Sequence, residues 1–353
     1  LYVVLKGRIR IFSEEDTGKT NQIGNSGPGD VLGEMALLTG ETRSANAVAQ
    51  GGVQVLSIAA KKVHELMRRH PALSHLMTDV VAKRLGSVEY DALAGKSLGG
   101  YRLNRRLGKG GMAVVYEAVD PVDEKLVALK MMSHRLVHDE RARKRFEQEF
   151  DIVRAFDSPC IVKTHSRFAA FHSWFLVMEY CDGRPLDQLV GEGPLSETHA
   201  KKIYSDVRQA LGCAHDRGVI HRDIKPANMI ECSDGITKLM DFGLAKPLDE
   251  LDTCRGVSGT VYYLAPELLA GQMPSVESDY FAFGMSMLEL LLGGRLLQSG
   301  SIRQITNQLR AWEKPDIENL RSDVSPDFCR QVANLLDPDP ENRKLDFQES
   351  IER

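Results

Sequence analysis

An excess of basic over acidic residues is missing from this sequence: 45 Lys and Arg stand against 49 Asp and Glu, a formal net charge of -4. That balance argues against a protein whose main task is gripping nucleic acid phosphates or anionic lipid. Cysteine is sparse and scattered, at 160, 181, 213, 232, 254 and 329, so neither a zinc-binding pair nor a compact disulfide framework is indicated, and a reducing cytoplasm fits best. Long hydrophobic runs are absent too. The most apolar stretch, Phe281 to Gly294, is interrupted by Ser286 and Glu289 and is too short to cross a bilayer. No signal peptide, internal repeat or low-complexity tract is visible, and the opening residue, Leu1, falls within a strand-like run, so the sequence reads as an excerpt of something longer.

What is present has the size and 42% hydrophobic content of two or three globular domains. Residues 1 to 60 alternate short apolar stretches (Leu1 to Leu5, Ile9 to Phe12, Val53 to Ile58) with turn-rich segments such as Gly24 to Asp30, which predicts a β-rich unit. From Lys61 to about Tyr90 the apolar positions recur at helical spacing, with Pro71 a break between two helices. Asp91 to Gly100, rich in small residues, is expected to be a linker. Beyond it, short strands lead into longer helical patterns, Thr198 to Arg217 and Ser278 to Leu292 among them. The expected organisation is 1–90, a linker over 91–100, and 101–353, the last divided into a small lobe of about 101–180 and a large lobe of about 181–353.

The run Leu107-Gly108-Lys109-Gly110-Gly111-Met112-Ala113-Val114-Val115 sets glycines between two strands, where backbone N–H groups can approach phosphates. Taken alone it is also an ordinary glycine-rich turn. Val127-Ala128-Leu129-Lys130 follows, an apolar strand ending in a lysine that needs an anionic partner, and Glu149 on the helical segment Arg141 to Phe156 offers one.

His221-Arg222-Asp223-Ile224-Lys225-Pro226-Ala227-Asn228, Asp241-Phe242-Gly243, Gly259-Thr260 and Ala265-Pro266-Glu267 complete a set that resembles the eukaryotic-type protein kinases. The resemblance implies a bilobal fold that binds ATP and Mg2+ and transfers the γ-phosphate to protein hydroxyls. It implies that Lys130 meets the α- and β-phosphates and pairs with Glu149, that Asp223 accepts the substrate proton, that Lys225 offsets charge on the transferred phosphate, and that Asn228 and Asp241 hold the metal. Leu107, Gly108, Lys109, Gly110, Gly111, Val115 and Ala128 line the nucleotide by the same resemblance, and Met178-Glu179-Tyr180-Cys181 is similar to the hinge that hydrogen-bonds adenine. Asp279 and Gly284 resemble the family's buried central helix, and Arg343 its partner for Glu267. Lys225 with Thr260 resembles the serine/threonine branch, and Gly-Gly-Met-Ala before Val-Tyr resembles bacterial members. Ala227 stands where arginine-directed members carry a glutamate, which removes one anchor for a basic substrate. Thr253 and Ser258 lie in the expected activation segment, where Arg222 can receive a phosphate.

Gly29 to Ala45 resembles the phosphate-binding cassette of cyclic-nucleotide-binding domains. Such a site needs a guanidinium, exposed N–H groups and a carboxylate, and Arg43, Ala36 and Glu34 match those roles, with Gly33, Met35 and Ser44 beside them. The implied fold is an α+β multidomain chain: a jelly-roll β-barrel with C-terminal helices, then the kinase. The implied regulator is cAMP or cGMP, which the cassette does not distinguish. The alternative is a constitutive or phosphorylation-regulated kinase whose barrel is an interaction module. Protein substrates and a cyclic nucleotide are the expected partners, with no nucleic acid and no membrane span.

Overall fold

The computed structural model describes residues 1–14, 20–34, 45–70, 97–110, 113–132, 139–170, 173–242, 246–247, 261–297 and 301–345. The chain divides into two units, Leu1–Phe146 with His165–Tyr180, and Glu147–Thr164 with Cys181–Arg353. In this division residues 147–164 group with Cys181–Arg353.

In the first unit, β1 (Tyr2–Lys6), β4 (Val31–Leu32) and β6 (Gln54–Ser57) form one antiparallel sheet in the order β4-β1-β6. The strands β2 (Ile9–Glu14), β3 (Thr20–Ser26) and β5 (Asn46–Ala49) form another, in the order β3-β2-β5. Val4, Ile9 and Leu32 make the small core of this N-terminal part. The helix α1 (Ala60–Arg69) follows; the second expected helix lies outside the described residues.

The six-stranded sheet β11-β12-β10-β9-β8-β7 comprises β7 (Ser97–Leu98), β8 (Tyr101–Lys109), β9 (Ala113–Val119), β10 (Leu126–Met132), β11 (Thr164–Ala170) and β12 (Ser173–Glu179). The last residues of the expected linker are therefore part of a sheet. Ser97–Leu98 pairs with Tyr101 and Arg102, and Leu98 is buried. Gly99 and Gly100, at φ of 60° and 92°, supply the left-handed turn that closes this hairpin. The Phe168 ring lies so close to Gly99 that a Cβ there would clash with it. Glycine content that reads as flexibility is here the requirement of a tight turn against an aromatic ring.

The helix α2 (Glu140–Arg154) comes next in the chain after β10. The second unit is mostly helical: α3 (Leu186–Val190), α4 (Glu197–His215), α5 (Pro266–Leu269), α6 (Val276–Leu292), α7 (Ile302–Arg310), α8 (Ile317–Leu320) and α9 (Pro326–Leu335). Short strands β13 (Gly183–Pro185), β15 (Met229–Cys232) and β16 (Thr237–Leu239) make a small sheet, and β14 (Val219–Ile220) pairs with β17 (Lys246–Pro247). Helix α6 is buried along most of its length, and Phe281, Phe283, Met287 and Leu290 are fully buried. Ser275 and Ser278 form its capping box, and Gly293 ends it in the left-handed conformation.

Gly284 lets α9 approach α6. A Cβ at residue 284 meets Leu335 Cβ at 2.9 Å and Leu336 Cγ at 2.9 Å. Alanine at a helix interior normally gains about 0.5–1 kcal/mol over glycine, but overpacking a tight contact costs about 1–3 kcal/mol. Gly284→Ala is therefore expected to lower the urea midpoint of the second unit; a raised midpoint would show the contact to be soft.

Candidate active site

The site is built around a loop between β14 and β15. Asp279, on α6 and 1% exposed, accepts the backbone N–H groups of His221 at 2.8 Å and Arg222 at 2.9 Å. It also accepts His215 Nε2, from the last turn of α4, at 2.9 Å. Two consecutive amides turned onto one carboxylate force an unusual backbone, and Arg222 has φ of 70°. Burial alone would raise the Asp279 carboxyl, but the His215 hydrogen bond and the neighbouring charges hold it below the usual carboxylate range.

His221 is fully buried against the Phe242 ring, with centroids 4.5 Å apart. Its Nδ1 accepts the Asp223 N–H at 3.3 Å, so the ring proton sits on Nε2 and is donated to Met240 O at 3.1 Å. Burial pushes the imidazole below the ordinary histidine range.

The loop then delivers Asp223. Lys225 Nζ donates to Asp223 Oδ2 at 2.7 Å, and Asn228 Nδ2 donates to the same oxygen at 3.0 Å and to Asp223 O at 2.8 Å. Both side-chain donors use Oδ2. A hairpin brings Asp241 alongside: Met229 pairs with Leu239 in the β15–β16 ladder, and Met240 N–H donates to Asn228 O at 2.9 Å. Asp241 itself has φ of 66°. The Asn228 amide nitrogen donates to Asp223, and its amide oxygen is a hard donor of the type that could hold a cation.

In the first unit, β10 carries Lys130, 8% exposed, in a strand buried from Val127 to Met132. Lys130 Nζ lies 6.0 Å from the Phe146 ring centroid. Register places Val115 opposite Lys130 and Ala128 opposite Met178, with Glu179 ending β12. Leu107, Gly108 and Lys109 end β8, and Gly110 N–H closes the turn onto Ala113 O at 2.8 Å. Glu149 is buried on α2, and Cys181 is half-buried, both in the second unit. Glu34 is buried and Gly33 has φ of 79°. Gly111, Gly243, Met35, Ala36, Arg43, Ser44, Thr253, Ser258 and Thr260 lie outside the described residues.

Sequence reasoning missed some of the supports. His215 leaves no mark beyond a histidine shortly before His221. Tyr263 donates its hydroxyl to Glu289, which Arg295 Nε also reaches at 3.3 Å, with the guanidinium 4.1 Å from the Tyr262 ring. Glu267 and Arg343 were legible, and their contact is a buried fork: Nη1 to Oε1 at 2.6 Å and Nη2 to Oε2 at 2.9 Å. The remaining Arg343 N–H groups go to the carbonyls of Asp337, Glu277 and Pro338, so the buried charge is fully satisfied.

The first unit carries a buried lysine-bearing strand beside a glycine turn, and the second an Asp–Lys–Asn cluster next to an aspartate at a hairpin end; each is a feature of the protein kinase class. The comparisons agree: the protein kinase domain family matches residues 101–350 and the cyclic nucleotide-binding domain family residues 1–70. The chain belongs to the protein kinase family, in its bacterial serine/threonine branch, with an N-terminal cyclic nucleotide-binding domain. The Lactococcus lactis protein named "Probable serine/threonine-protein kinase PknB" is 34% identical over 256 residues, 71% of this chain and 41% of that protein. Serine/threonine-protein kinase PknJ of Mycobacterium tuberculosis is 34% identical over 263 residues, 72% and 44% of the two chains. PknH of the same organism is 32% identical over 256 residues, 72% and 41%. The chain spans less than half the length of these relatives. Among the described residues no helix is long and apolar enough to cross a membrane.

The buried, neutral His221 gives a signed pH dependence. The unfolded chain takes up this proton as pH falls through about 6.5, while the folded protein does not, so stability declines below that pH. Asp279 adds a loss at lower pH, within and below the carboxylate range, because its folded carboxylate resists protonation. Urea midpoints between pH 8 and 5 are expected to fall below about 6.5, with a flatter slope in His221→Phe. Equal slopes in the two proteins would remove His221 as the cause.

Proposed function

We propose that this chain transfers the γ-phosphate of ATP to serine or threonine hydroxyls of proteins. The observation that carries the reading is the Asp223 carboxylate held by Lys225 and Asn228 beside the hairpin that presents Asp241. Phosphoryl transfer spreads negative charge over the migrating group, so it demands fixed cations and positioned donors more than a covalent nucleophile. Asp223 Oδ1 orients the substrate hydroxyl and accepts its proton, and Lys225 turns from Asp223 to the transferred phosphate. Asp241 and the Asn228 amide oxygen suit Mg2+, which is bound by few protein oxygens together with phosphate oxygens. Lys130 is assigned to the α- and β-phosphates; Leu107 to Gly111, Val115, Ala128, Met178, Glu179 and Cys181 line the nucleotide.

Residues 1–90 are proposed to bind cAMP or cGMP and to regulate the kinase that begins near residue 101. A ligand that prefers the active state a hundredfold shifts the equilibrium by about 2.7 kcal/mol, enough to govern activity. Buried Glu34 after a left-handed Gly33 supports this. The second reading, a barrel that serves as an interaction module, draws on exposed Leu5, Val48, Val55 and Leu56. A cytoplasmic location is proposed on the few and widely spaced cysteines.

Radiolabelled ATP with Mg2+ and a generic protein substrate is expected to yield phosphoserine or phosphothreonine. Asp223→Asn is expected to lower the rate by about 10²–10⁴-fold. Replacement of Lys130, Asn228 or Asp241 is likewise expected to extinguish transfer, and replacement of Glu149 to be milder. Product confined to phosphotyrosine, or full activity in Asp223→Asn, contradicts the reading. Titration with cAMP and cGMP is expected to change the rate, and Arg43→Ala to remove that response; rates unmoved by both nucleotides favour the interaction module.

A further inference from the structure

The nucleotide-facing rungs of the six-stranded sheet extend to a polar cluster that no part of the transfer chemistry uses. Glu117 on β9 lies opposite Ala128 on β10, which lies opposite Met178 on β12. Two residues along, Val115, Lys130 and Leu176 form the next rung on the same face, because strand side chains alternate with period two. Glu117 therefore shares its face with the residues assigned to ATP. Its side chain is 12% exposed and is held by Arg105 Nη2 at 2.7 Å and Asn104 Nδ2 at 3.0 Å, both from β8. The same Arg105 Nη2 donates to the Tyr180 hydroxyl at 3.2 Å, although the two residues are 75 apart in sequence.

We infer that Arg105, Glu117 and Tyr180 form a clamp that sets the spacing between the strands flanking the glycine turn and the Met178-to-Tyr180 segment, and so positions both for adenine and ribose. The three are positioning residues, acting through Leu107, Val115 and Met178. An exposed ion pair contributes little, but this carboxylate is largely removed from water and shared by two donors. The chain between Tyr116 and Ala118, both buried, cannot shift to follow a displaced Glu117. Burial alone would raise the Glu117 carboxyl, yet Asn104 and Arg105 hold it below the usual range, as expected of a built contact.

This inference rests on the kinase reading, and the test separates the two. Binding of a fluorescent ADP analogue with Mg2+, and KM for ATP, kcat and protein-substrate KM, are measured on the full chain and on Arg105→Met, Glu117→Gln and Tyr180→Phe. Each variant is expected to weaken nucleotide binding and raise the KM for ATP about fivefold, a coupling of ~1 kcal/mol, with kcat and protein-substrate KM within about twofold. Arg105→Glu combined with Glu117→Arg is expected to recover most of the affinity. Arg105 is mostly exposed and Tyr180→Phe keeps the ring, so those two variants report even where Glu117→Gln fails to fold. Unchanged nucleotide affinity in both, or kcat and both KM values moving together, overturns the clamp. A wild-type chain that binds no nucleotide overturns the kinase reading and the clamp with it.

Discussion

The Asp279 carboxylate is the constraint on which the second unit's chemistry depends. It is an anion 1% exposed on the mostly buried helix α6, and such a charge costs several kcal/mol unless it is fully hydrogen-bonded. The donors are the N–H groups of His221 and Arg222 and the His215 ring. The same bonds that satisfy the charge bend the loop into a left-handed turn at Arg222, and that turn faces Asp223 toward Lys225 and Asn228. Stability of the core and geometry of the site are thus one set of interactions. His221 joins the loop to Met240 and Phe242, so the segment leading into Asp241 is held from the same point.

Much of this was legible in the sequence because the chemistry is carried by contiguous residues. Asp223, Lys225 and Asn228 sit in one short loop, and their mutual contacts follow from local geometry. Helix α6 was legible for a different reason: Ser278 to Leu292 has helical spacing, and Asp279 and Gly284 resemble the family's buried central helix. Lys130 stood out because a cation in a buried strand is anomalous on its own.

What could not be read arises from residues far apart in sequence or from one composition serving two structures. Arg105 and Tyr180 meet only because β8 and β12 belong to one sheet, and no periodicity announces that. Tyr263, Glu289 and Arg295 come together from a short turn, a helix interior and the segment after it. Gly99 and Gly100 satisfy the rules for a flexible linker and those for a hairpin turn equally well; the ring of Phe168 decides between them, and it lies dozens of residues downstream.

The β15–β16 hairpin has a consequence for how the gene can vary. Its closed end, Cys232 to Gly235, points away from the residues that flank Asn228 and Asp241, and Gly235 makes the left-handed turn there. Extra residues inserted at that tip leave the open end unaltered, whereas one residue inserted within either strand slips the register and reverses which face each following side chain occupies. Length variation in a lineage of such chains is therefore expected at the tip, with both strands held to constant length, as the jaws of a calliper keep their gap only while neither arm is lengthened.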